Sequence, residues 1–143
     1  MVRTSAHRFW TRLAITSASS TVTTVDSGSV VTLTATVKTG ATAVAIGQVN
    51  FCDAAAKYCT DIHLLGMKEL TSAGTAVLKF VPGIGSHNYK AVFLGTTNGA
   101  ASISGTAGLT VTGLYPTATT IAKSGSAGNY TLTATVRCPT CRP

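Results

Sequence analysis

The hexapeptide Thr-Leu-Thr-Ala-Thr-Val is spelled twice in this chain, at residues 32–37 and again at residues 131–136. In each copy apolar and hydroxyl side chains alternate, which puts Leu, Ala and Val on one face of an extended strand and the threonines on the other. A slip of one residue would invert both faces, so the pattern fixes which side meets a core. Neighbouring residues repeat as well. Residues 21–25 (Thr-Val-Thr-Thr-Val) precede the first copy and residues 117–121 (Thr-Ala-Thr-Thr-Ile) the second, and Ser27-Gly28-Ser29 corresponds to Ser124-Gly125-Ser126. The spacing of about a hundred residues is too long for a solenoid unit and matches one small domain. The expected organisation is therefore a disordered tail over residues 1–10, one complete unit over residues 11–113, and the truncated start of a second unit over residues 114–143.

The rest of the chain extends the pattern. Leu13 and Ile15 alternate with Ala14 and Thr16, then residues 17–20 form a polar break before Val22 and Val25. Val49 and Phe51 begin a further strand, residues 64–70 return, and Ala76, Leu78 and Phe80 alternate with Val77, Lys79 and Val81. Pro82, Gly83 and Gly85 turn the chain toward Tyr89, Ala91 and Phe93, and Ala107, Leu109 and Val111 close the unit. No long window shows helical spacing, and only 10% of residues are charged. Short strands with one apolar face each, separated by Gly, Asn, Asp and Ser clusters, predict an all-β fold of about seven strands in two antiparallel sheets packed face to face. Leu33, Val49, Phe51, Leu78, Tyr89, Phe93 and Leu109 are expected to converge in one core.

A family resemblance rests on the order of several short stretches: the first hexapeptide, Gly47-Gln48-Val49-Asn50-Phe51, Leu65-Gly66, residues 73–78, residues 85–95 and residues 107–112. In that order and spacing, residues 11–113 resemble the bacterial immunoglobulin-like repeats of the group-three type, and a second copy begins near Tyr115. The resemblance implies tandem β-sandwich modules in large secreted or surface proteins of bacteria, acting as spacers, stalks or adhesive modules. An extracellular or cell-surface location follows from the same resemblance. The implied partners are neighbouring immunoglobulin-like repeats in a parent chain, to which the net positive charge of the chain adds a protein or anionic polysaccharide surface. The cysteine pair and core Trp of antibody domains are missing. Lys68 stands on the same side of its strand as Leu70, which reads as an edge strand whose Lys stem snorkels outward.

The four cysteines form two close pairs. Cys52 and Cys59 bracket the loop that leaves the strand of Val49 and Phe51. A disulfide between Cys52 and Cys59 across the loop base is expected ahead of two free thiols or a pair of metal ligands, the six-residue gap being unusual for zinc. Cys138 and Cys141 have Cys-x-x-Cys spacing, but no helix follows to lower a thiol pKa, so a redox role lacks its structural partner.

Composition points away from catalysis and from specific nucleic-acid binding. The acids are Asp26, Asp53, Asp61 and Glu69 and the histidines His7, His63 and His87, with no hydrolase elbow, zinc-protease motif or phosphate loop among them. Asp53, Asp61 and His63 flank the cysteine loop, either as a small cation site or as solvated loop residues. No cofactor and no metal site is expected. The formal net charge of +7 is spread along the chain, which attracts anions without building a groove. Residues 1–12 are basic like the start of a signal peptide, yet Leu13-Ala14-Ile15 is too short for its apolar core, and no run of apolar residues spans a membrane. Two function classes follow: a non-catalytic structural spacer or adhesion module, and a carbohydrate-binding accessory domain. The only Trp, Trp10, falls in the expected tail, which favours the spacer.

Overall fold

The structure is a computed structural model that describes residues 8–139. Thirteen strands are present among the described residues: β1 (Phe9–Ser17), β2 (Ser20–Thr21), β3 (Thr24–Asp26), β4 (Val31–Thr39), β5 (Thr42–Ala43), β6 (Gln48–Asp53), β7 (Leu64–Glu69), β8 (Thr75–Phe80), β9 (Gly85–Phe93), β10 (Ser102–Ile103), β11 (Ala107–Thr112), β12 (Ala118–Ser126) and β13 (Asn129–Arg137). One 3-10 turn, Asp61–His63, precedes β7. The chain divides into two units, Met1–Thr112 and Gly113–Pro143.

The first unit is a two-sheet sandwich. One sheet runs β2-β1-β4-β5 with β8 also paired to β4, and the other runs β3-β11-β9-β6-β7 with β10 on β9. Seven of its strands have six residues or more, in line with the expected count, and β2, β3, β5 and β10 are short additions. The expected all-antiparallel arrangement needs one correction, because β3 pairs with β11 in parallel, Val25 opposite Val111. Ala18 and Ser19 take positive φ of 46° and 70° and turn the chain back as β2 beside β1, and only after Thr21 does it cross to β3 in the second sheet.

The alternating residues meet between the sheets. Val31, Leu33, Ala35, Val37 and Ala76 from one sheet pack on Val49, Phe51, Tyr89, Ala91, Phe93, Leu109 and Val111 from the other, all buried in one cluster. Leu78, expected in that core, is half-buried and packs against it from strand β8. A Cβ on Gly66 would lie 3.1 Å from Leu78 Cδ1, so the glycine makes room for that side chain where β7 passes. Strand β7 is the outer strand of its sheet and Lys68 is exposed on it, as the edge reading anticipates.

Strand β1 starts earlier than expected. Phe9 and Trp10, assigned to the tail, pair with Thr39 and Lys38 of β4. The Phe9 ring stands edge-on to Phe93 at 5.6 Å and lies over Gly99, where a Cβ would overlap the ring. That anchorage, 84 residues along the chain from Phe9 to Phe93, extends the strand; the remainder of the expected tail, residues 1–7, lies outside the described residues.

The second unit is a hairpin of β12 and β13 in a two-stranded sheet of its own, with every strand residue exposed. Ile121 lies opposite Ala134, Thr119 opposite Val136 and Lys123 opposite Leu132. In the first unit Leu13 lies opposite Ala35, Thr11 opposite Val37 and Ile15 opposite Leu33. Each copy of the hexapeptide thus has an antiparallel neighbour that sets Thr opposite its Val and Leu or Ile opposite its Ala.

Candidate functional site

A set of backbone and side-chain contacts surrounds the cysteine loop. Strand β6 pairs with β9 so that Cys52 lies opposite Lys90 and Asp53 opposite Tyr89. Tyr89 faces the core, so Cys52 and Lys90 share the outer face, and the loop folds over it. Cys52 is fully buried and is bonded to Cys59, with Cα atoms 5.5 Å apart. The Ala54 amide donates to Asn88 O at 2.8 Å, the Ala55 amide donates to Asp53 Oδ1 at 2.9 Å, and Lys90 Nζ donates to Ala56 O. The Asp53 contact is a side-chain-to-backbone turn that this residue type makes readily. Disulfide, turn and lysine together hold the loop to β9.

The Tyr89 phenol has a displaced pKa. Burial and, second, the neighbouring Asp53 carboxylate push it up to about 12. Its ring stands edge-on to Phe80 at 5.5 Å and stacks with His87 at 5.9 Å. His87 Nε2–H donates to Gly83 O at 2.7 Å. A phenol held protonated and a histidine tied to a carbonyl hold structure and form no nucleophile-base pair with each other.

The other candidates do not gather. Asp61, at positive φ of 53°, and His63 lie in the 3-10 turn, and Asp53 is engaged in its own turn. Among the described residues no group of three His, Cys, Asp or Glu is placed to hold a metal ion. Cys138 is disulfide-bonded and Cys141 lies outside the described residues, as does His7. Among the described residues no helix is long and apolar enough to cross a membrane.

One surface feature was hidden in the sequence. Trp10 is 42% exposed and points away from the core on β1, since its neighbours Phe9 and Thr11 point inward. Its Nε1–H donates to Gly40 O at 3.2 Å, and the Lys38 ammonium lies 5.9 Å from the ring centroid. The signal that would have exposed it is the alternation of Leu13 and Ile15, which continues backward through Thr11 to Phe9.

The family model described as bacterial Ig-like domain (group 3) matches residues 15–112. No curated protein matches the chain.

Proposed function

The chain belongs to the bacterial Ig-like domain family of group 3, and we propose that it serves without catalysis as a spacer or interaction module of a secreted or cell-surface bacterial protein, residues 114–143 being the start of a second repeat. The observation that supports this reading is that both copies of the hexapeptide form a strand with an antiparallel neighbour. Leu132, Ala134 and Val136 present the face that Leu33, Ala35 and Val37 bury in the first unit, and they do so exposed to solvent. An apolar face prepared for an opposing sheet belongs to a module that is used in series. Neighbouring repeats are then the first partners.

Extending the chain from Val136 with a second copy of residues 38–112 tests the reading. Two cooperative unfolding transitions are expected, and an extension that remains unfolded beside an intact first unit contradicts it. Surface labelling of bacteria that produce the parent protein tests location. A second reading, a carbohydrate-binding accessory domain, is favoured by the exposed and hydrogen-bonded Trp10 on a sheet face.

A further inference from the structure

The outer face of the β1-β4-β8 sheet differs in charge from the rest of the first unit. All four acidic residues of the chain lie elsewhere: Asp26 in β3, Asp53 in β6, Asp61 in the 3-10 turn and Glu69 in β7. Across the outer face, the register places Trp10 beside Lys38, Arg12 beside Thr36 and Thr75, Ala14 beside Thr34 and Val77, and Thr16 beside Thr32 and Lys79. The face therefore carries Arg12, Lys38 and Lys79, a field of threonine hydroxyls, one aromatic ring and no carboxylate. Trp10 also lines a cleft of about 330 Å³ between β1 and the segment 100–103, with Arg8, Phe9, Thr11, Ser102 and Ile103.

We propose that this face binds an anionic polysaccharide, with a sugar ring packed on Trp10 and the carboxylates of the chain paired with Arg8, Arg12 and Lys38. Three physical arguments select that partner. Arg and Lys on a sheet free of acids attract an anion, and guanidinium groups pair with carboxylates in a fixed two-point geometry. The flat C–H face of a pyranose needs a large apolar plate with a polar rim, and Trp10 is held in place by its bond to Gly40 O before any ligand arrives. Threonine hydroxyls along β4 and β8 donate to and accept from sugar hydroxyls over several residues, matching a linear polymer laid across the strands. A nucleic acid fits less well, because single strands are held by successive stacking aromatics and this face has one.

The proposal rests on the reading of the chain as a non-catalytic module, whose own tests are unfolding and location, so a failed titration would leave that reading standing. Trp10 is the only tryptophan of the chain, so its emission reports on this site alone. The full chain is titrated at fixed ionic strength with polygalacturonate, with neutral dextran, with single-stranded DNA and with anionic phospholipid vesicles. A saturable change in emission with polygalacturonate is expected, with dextran, DNA and vesicles at least about tenfold weaker. The double variant Arg12→Ser/Lys38→Ser should weaken polygalacturonate binding by about tenfold or more, whereas Lys57→Ser/Lys123→Ser, with the same change in net charge, should weaken it by less than about threefold. Far-ultraviolet circular dichroism and the unfolding midpoint check that each variant is folded, and Arg12→Lys substitutes where the serine variant is not. Unchanged Trp10 emission, equal losses in the two double variants, or equal or tighter binding of dextran, DNA or vesicles would overturn the proposal.

Discussion

Leu33 carries the strongest sequence signal at the scale of a residue. It sits in the middle of the hexapeptide, is fully buried, and lies opposite Ile15 on one side and Leu78 on the other. Leu33→Ala removes buried methyl groups from a site hemmed in by both sheets, and a loss of about 2 to 5 kcal/mol is expected in urea unfolding. Tyr89 makes a different prediction. Its folded pKa of about 12 lies above the ordinary value of 10.0, so the folded protein keeps a proton that the unfolded chain releases between those two values. The stability tied to this group is fully present below pH 10 and is lost as the pH rises through 12. The expected loss is about 1 to 2 kcal/mol, less than the full shift implies, because Asp53 is only half-buried and water screens its repulsion. Tyr89→Phe should flatten the alkaline limb of the stability curve; an unaltered limb would show that the phenol does not contribute.

Among the elements, the cysteine loop is the one most open to a direct check. The bond between Cys52 and Cys59 closes a short ring at the end of β6, and replacing both residues by Ala should lower stability by about 2 to 3 kcal/mol. Unreduced peptide maps should show Cys52 linked to Cys59 and to neither of the other two cysteines. Strands with strict alternation were legible in the sequence, because side-chain period alone assigned the faces of β4, β9 and β11. The elements that escaped it depend on distant partners. Phe9 joins β1 through Phe93, and β3 lies in the second sheet because β11 accepts it in parallel. The repeat itself misled at one point. Residues 117–121 match residues 21–25 in sequence, yet the first unit splits that segment between β2 and β3, while the second folds it into β12 against β13. Gly28 turns the chain between β3 and β4, whereas its counterpart Gly125 lies inside β12 and the turn moves to Ala127 and Gly128. The candidate binding face was illegible for the same reason as Phe9: with Trp10 read as tail, no strand register placed Arg12 and Lys38 beside it.

At the scale of the whole molecule, the first unit holds a closed core and the second a hairpin with both faces exposed. Two strands alone are marginally stable in water. Removing residues 114–143 should therefore change the unfolding free energy of the first unit by less than about 0.5 kcal/mol, the range expected of changes away from a packed core. The central claim, one complete module followed by the opening of another, is tested most directly by amide hydrogen exchange on the two copies of the hexapeptide within one sample. Amides of residues 32–37 should exchange only through global unfolding, and those of residues 131–136 should exchange faster by several orders of magnitude. Equal protection of the two copies would contradict the account, because identical stretches would then be equally bound into one cooperative fold.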